Sequence, residues 1–206
     1  MGTRHAPAKG TKRLPLPARR DQLLDVAEKL FVENGYAAVT MEDIARAAGV
    51  TRPIPYKHFG TKEGVYLGCV QRARAGYEKS LLTAFAPDDE PRVKLAKGAE
   101  AFFEALESNP GRWLLLFGGN TVLPADYSDD LAALRFSTIN AIADVLRSSA
   151  PRIPERRLQA LAHAVSGVGE RLGHWWLAEP SMTRAELVEH YTEICWAGLS
   201  AYVDDD

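Results

Sequence analysis

The chain has 206 residues, 46% hydrophobic and 25% charged, with a net charge of −2; such a composition is ordinary for a soluble globular protein and allows one large or two small cores. No apolar run reaches about eighteen residues, so no membrane span is expected, and the amino terminus lacks the apolar region of a signal peptide. Cys69 and Cys195 lie inside apolar helical patterns, as reduced core thiols of a cytoplasmic protein do; a metal or redox pair would require them to meet in space.

The charge is unevenly placed. Residues 1–62 carry eleven Lys/Arg against six Asp/Glu, the remainder 14 against 21. Arg4, Lys9, Lys12, Arg13, Arg19 and Arg20 fall within the first twenty residues without an acid among them. Interleaved with Pro7, Gly10, Pro15 and Pro17, residues 1–18 read as a flexible basic arm. Either it solubilises the chain or it reaches phosphate or a minor groove. The acidic remainder argues against polyanion binding by the whole surface.

From Arg19 the pattern turns helical. Leu23, Val26, Ala27, Leu30 and Phe31 share one side of an amphipathic helix that closes at Asn34-Gly35. Thr40 and Asp43 stand at capping-box spacing before a second helix carrying Ile44, Ala45 and Ala48. Gly49 supplies the left-handed conformation that ends it, Val50 fills the corner, and Thr51 is placed to cap a third helix. That helix exposes Arg52, Tyr56, Lys57 and His58, a set suited to phosphates and base edges. Met41 to Phe59 therefore reads as a helix-turn-helix, residues 19–62 as a DNA-binding domain, and Gly60-Thr61-Lys62-Glu63 as the start of a long helix.

LFVENGY, then T-M-E-D-IA-AAGV-T, then Y-K-H-F-G-TKE, in that order from about Arg19 to Val70, resembles the amino-terminal domain of TetR/AcrR-family transcriptional regulators. The resemblance implies an all-α chain of about nine helices, with an N-terminal three-helix helix-turn-helix domain and a C-terminal helical effector and dimerisation domain. It also implies a homodimer on a two-fold-symmetric double-stranded DNA operator, and release by a small-molecule effector. Carried over by motif, Arg52, Ile54, Lys57 and His58 would lie near base edges or sugars, with Thr40, Thr51, Tyr56 and Lys62 as phosphate clamps. Pro55 departs from the family pattern, which has Leu, Ile or Val at this buried position. With Thr51 as cap, Pro55 would delete the first intrahelical bond, at a cost of up to ~3 kcal/mol and less near a helix end. A later or tighter start, such as a 3₁₀ turn, would avoid this. Pro55 then either stiffens the turn or alters the register on DNA.

Residues 63–206 form the larger helical domain. Val65, Tyr66, Cys69, Val70, Ala73, Tyr77 and Leu81 line one long helix, ended by Ala86-Pro87-Asp88-Asp89. A helix follows around 91–108, and after Asn109-Pro110-Gly111 comes an apolar segment, RWLLLFGGN, that must be buried. Pro124 to Ser128 reads as a loop with Ser128 capping a helix to about Ser149. Two helices remain, Pro154 to about Ala178 and Thr183 to about Val203, the second opened by the Thr183/Glu186 capping box. Leu158, Leu161, Val165, Val168, Leu172 and Trp175 make a seam suited to another helix. On the last helix, Leu187, Tyr191, Ile194 and Gly198 form one stripe, and Val188, Cys195, Leu199 and Tyr202 an adjacent one. Two apolar faces need two covers, and a second copy is the economical one. The resemblance implies the same pairing through the last two helices.

His163, Glu170 and His174 share a face but cannot share a metal, the histidines being roughly 16 Å apart along the axis. They form either a solvated stripe or the polar lining of an effector cavity. Phe102, Phe103, Trp113, Leu116 and Phe117 are its apolar candidates, with Asn120 and Arg135 as polar anchors, although aromatics so spaced also serve as plain core. No metal or cofactor is called for. The reading is a ligand-responsive transcriptional regulator, a repressor as family members most often are. The alternative is a helical small-molecule-binding protein or enzyme, against which stands the lack of any paired-carboxylate, Ser-His-Asp, phosphate-loop or metal-ligand constellation. A nucleoid-type DNA protein is disfavoured by the acidic second half.

Overall fold

The computed structural model describes residues 15–118 and 125–203, with side chains at all but 125, 126, 128, 131 and 135. Among them stand nine α-helices and no strand: α1 (Leu16–Asn34), α2 (Met41–Ala47), α3 (Pro53–Phe59), α4 (Lys62–Thr83), α5 (Pro91–Ser108), α6 (Pro110–Phe117), α7 (Ala125–Ser149), α8 (Glu155–Ala178) and α9 (Arg184–Val203). The protein is all-α, and none of these helices is long and apolar enough to cross a membrane.

Several boundaries follow from single side chains. Gly35, Gly49 and Gly60 have φ of 77°, 65° and 75°, the region that penalises a Cβ. Thr40 and Asp43 close a full capping box on α2. Thr61 caps α4 by accepting from the Gly64 amide at 3.1 Å, and Asn109 caps α6 through the Arg112 amide at 2.9 Å. On α9 the Thr183 and Glu186 side chains each accept from the other's backbone amide.

The structure corrects four expectations. The residue flanking α3 is Arg52, not Thr51, and no side chain caps the helix. Thr51 contributes its carbonyl instead, accepting from the Ile54 amide at 3.0 Å in a 3₁₀-type turn. Starting the helix at Pro53 puts Pro55 third, where an amide has no intrahelical acceptor, so its missing N–H costs nothing and its ring goes into the core. Second, α4 stops at Thr83, before Ala86-Pro87-Asp88-Asp89; the Thr83 hydroxyl bonds back to the Lys79 carbonyl, and Asp89 holds the following turn through the Ala86 amide. Third, α7 begins at Ala125, so Ser128 lies inside it rather than capping it. Fourth, RWLLLFGGN is not wholly buried: Trp113, Leu116 and Phe117 face inward, whereas Leu114 is exposed.

One continuous core runs from Leu23 and Ile44, through Val65, Cys69 and Tyr77 on α4, to Phe103, Trp113 and Leu187. Helices α1, α2 and α3 pack on one another in sequence, α1 and α3 also pack on α4, and α4 in turn packs on α5, α6 and α7. The pairs α5–α9 and α7–α8 form the body of the larger half. Helix α6 touches both regions, since it packs on α1 as well as on α4 and α5.

Candidate nucleic-acid interface and effector cavity

Helix α3 sits at the surface on a base made by α2 and the start of α4. Pro55 is its buried residue and Ile54 is partly buried against the core, while Thr51, Arg52, Tyr56 and Lys57 are exposed. Ile54, turned partly into the core, packs there. His58 is half-buried, and burial, then Lys57, Arg20 and Arg19, push its imidazole below the ordinary histidine range. Arg20 itself lies over the Phe59 ring at 4.5 Å, so the end of the basic segment is held beside α3.

The remaining side chains expected on phosphate have work inside the protein. The Thr40 hydroxyl donates to Asp43 at 2.6 Å as part of the capping box. Lys62 Nζ donates to the Tyr36 carbonyl at 3.1 Å and lies 4.2 Å above the Tyr36 ring. Tyr36 in turn donates to Glu63 at 2.7 Å, and its phenol is pushed far above the usual range by burial and that carboxylate. Glu42 was not singled out by the pattern, yet its carboxylate pairs with Arg52 Nε at 2.5 Å and lies 3.5 Å from the Tyr56 hydroxyl.

A cavity of about 100 Å³ opens in the larger half, between α4, α5, α7, α8 and α9. Leu81, Leu95, Phe102, Ile142, Leu146, Val165 and Leu199 give it hydrocarbon walls. Several of its hydroxyls are engaged within the chain: Ser149 donates to the Val145 carbonyl, Ser166 to Glu170, Tyr191 to the Val165 carbonyl, and Thr138 accepts from Arg74, whose guanidinium is buried. Lys94 is the charged residue among the lining.

The helix-turn-helix fold and the larger helical half both match known families. Residues 23–69 fit the family model of bacterial regulatory proteins, tetR family, and residues 91–198 that of the tetracyclin repressor-like C-terminal domain. This chain belongs to the tetR family. As a tetR-family protein it is a DNA-binding transcriptional regulator. The HTH-type transcriptional activator FasR of Mycolicibacterium smegmatis is 28% identical over 198 residues, covering 94% of this chain and 90% of FasR. A TetR-like transcriptional regulator from Rhodococcus sp. RHA1 has a TM-score of 0.72 at 25% identity, covering 91% of this chain and 99% of that one. A tetR-family regulator from Streptomyces coelicolor has a TM-score of 0.75 at 24% identity, covering 93% and 86%.

Against this tetR-family frame, the expected cavity residues part company. Phe102 lines the cavity; Phe103, Trp113, Leu116 and Phe117 are core beside it. Asn120 lies outside the described residues, as does the side chain of Arg135. His163, Glu170 and His174 do not act together. His163 is exposed against Phe136, Glu170 takes the Ser166 hydroxyl at 2.9 Å, and His174 meets the Phe117 carbonyl at 3.0 Å with its ring against Trp113. The small residues Gly98, Ala99, Ala150 and Gly169, which make the space, were missed. A void is defined by what side chains leave empty, and no spacing rule reports that.

The expected pairing surface is narrowed in the same way. Leu158, Val165, Leu187 and Tyr191 are buried in the chain's own core, and Tyr191 donates to the Val165 carbonyl at 3.1 Å. Their apolar surface is already covered within the chain. Leu161, Val168 and Leu172 are partly buried, and Trp175 and Ile194 are exposed.

Proposed function

We propose that the protein is a dimeric, ligand-responsive repressor that binds a two-fold-symmetric operator through α3 and is released by an apolar small molecule held in the α4–α9 cavity. Residues 1–18 serve as a basic arm, 19–62 as the DNA-reading unit and 63–206 as the effector and pairing unit. Arg52, Lys57 and His58 face base edges or sugars; Thr40, Thr51, Tyr56 and Lys62 hold the phosphates, Lys62 after leaving the Tyr36 carbonyl. The observation that carries the reading is the exposed polar face of α3 mounted on α4, a helix whose other end, at Tyr77 and Leu81, lines the cavity.

A cavity walled mainly by hydrocarbon gains most from an apolar guest, with Lys94 and Tyr77 in the lining to meet an anionic or hydrogen-bonding group. The guest need only prefer the form that cannot reach DNA; a coupling of ~1–3 kcal/mol lowers operator affinity about five- to 150-fold. FasR is named an activator, so the direction of control is decided by transcription and not by fold.

Selection of duplexes from a randomised pool, followed by footprinting, tests the reading. A palindromic site protected at near-physiological salt supports it; sequence-blind binding that vanishes with salt overturns it. Transcription from a promoter carrying the selected site must fall with protein and recover with a straight-chain alkanoic acid. A rise with protein overturns the repressor assignment. Gly98→Leu narrows the cavity and is expected to abolish the recovery while leaving operator binding intact, because a Cβ there meets only Leu81 at an ordinary 3.5 Å.

A further inference from the structure

Glu42 poses a problem for a DNA-facing surface. It lies in the first turn of α2, beside Thr40, and brings a negative charge to the face that must meet phosphate. A first-turn acid ordinarily serves the helix amides or dipole. Here Asp43 fills the capping role, and the Glu42 carboxylate leans across to α3 instead. It reaches Arg52 Nε at 2.5 Å and stands 3.5 Å from the Tyr56 hydroxyl. Arg52 and Tyr56 are four positions apart, so one carboxylate bridges neighbours on the same face of α3.

We propose that Glu42 is a specificity-determining positioning residue for DNA recognition, aiming Arg52 and Tyr56 rather than contacting sequence alone. This rests on the reading of α3 as the DNA-facing helix. An ion pair through Nε leaves the terminal fork of the guanidinium for a two-pronged contact with guanine O6 and N7. Pairing also cancels the charge that would make Arg52 bind any phosphate equally well. A cation that is both neutralised and aimed contributes to one base and little to random DNA.

The pair is open to water in the free protein, with the Arg52 and Glu42 side chains 71% and 37% exposed, so it does little for folding. It gains strength only when DNA excludes that water. Stability and specificity therefore separate, and a structural role for Glu42 would not produce that separation.

The test compares wild type, Glu42→Gln, Arg52→Ala and the double variant on two duplexes: one selected by the wild type from a randomised pool and its scrambled counterpart. Glu42→Gln is expected to bind the scrambled duplex more tightly and to lose about tenfold or more in the ratio of selected to scrambled affinity. Its salt slope on scrambled DNA steepens by about 0.9, the value for one added phosphate contact, and its melting temperature stays unchanged. The double variant loses no more of the ratio than Arg52→Ala alone, because Glu42 acts through Arg52. An equal change on both duplexes, or additive losses in the double variant, overturns the proposal. If Arg52→Ala leaves the ratio intact, the reading of α3 itself falls; if Arg52→Ala destroys the ratio while Glu42→Gln keeps it, only the role of Glu42 falls.

Discussion

His58 ties acidity to DNA binding. In the free protein its imidazole is shifted below the ordinary histidine range, first by burial and then by Lys57, Arg20 and Arg19. A histidine whose folded value lies below its unfolded value of about 6.5 takes up its proton first in the unfolded chain, so stability drops as pH falls from that range toward the lower folded value. Phosphate reverses the sign, because negative charge beside His58 restores the proton that burial and the three cations oppose. Binding then takes up a proton, and affinity must rise as pH falls. Between pH ~7.5 and ~5.5 at fixed salt, anisotropy titrations of a selected duplex should show this rise, and His58→Gln should flatten it. A rise that persists in His58→Gln would assign the proton elsewhere. The thiols show the opposite case: burial pushes Cys69 up to about 12 and Cys195 to about 11, so neither should react with a thiol reagent in the native protein near neutral pH.

Among the elements, α6 joins the two halves alongside α4. Its inner face sets Phe117 5.3 Å and Trp113 5.7 Å from the ring of Phe102, which lines the cavity. Its first turn is locked to α1, where Arg112 Nε meets Glu28 at 2.7 Å while Arg72 of α4 takes the other oxygen at 3.0 Å. Glu28 is 7% exposed, so one carboxylate joins three helices, two of them in contact with DNA-reading parts. Gly111 permits this approach, since a Cβ there would overlap the methyls of Val32 on α1. Gly111→Ala should push α6 off α1 and weaken operator binding without any effector. Val32→Ala should restore it by removing the obstacle, and operator titrations of the single and double variants check both steps. Loss in Gly111→Ala without rescue would mean that the glycine serves the α6 turn alone.

Helices α5 and α9, the capping boxes and the left-handed Gly49 were legible in the sequence because each depends on neighbours a few residues away. The Glu28 junction joins residues 44 and 84 positions apart, and no local pattern announces it. Thr51 failed as a cap for a similar reason. The sequence offered a good capping residue, but two prolines made a later start cheaper, and only the combined cost decides.

At the scale of the whole molecule, α8 and α9 keep apolar side chains that the described residues leave uncovered. Three- and four-residue spacing identifies apolar stripes but does not say which stripe the chain uses itself. It uses Leu158, Val165, Leu187, Tyr191, Cys195 and Leu199, and leaves Trp175 and Ile194 exposed at 39% and 56%. On the same two helices, Gly167 and Gly198 would each carry a Cβ that meets nothing within 4 Å among the described residues. Exposed large apolar side chains and open glycines on the same helices are what a close helix–helix contact with a second copy would use. Trp175→Glu with Ile194→Glu places two charges on that surface without touching the core. By light scattering, the wild type should have about twice the 22.6 kDa chain mass and the double variant the single mass, with helical circular dichroism retained. Paired recognition helices then become independent, and binding to a palindromic duplex should drop toward that of a half-site. A wild type of single mass, or a variant that keeps the double mass, would place the pairing surface elsewhere or abolish it.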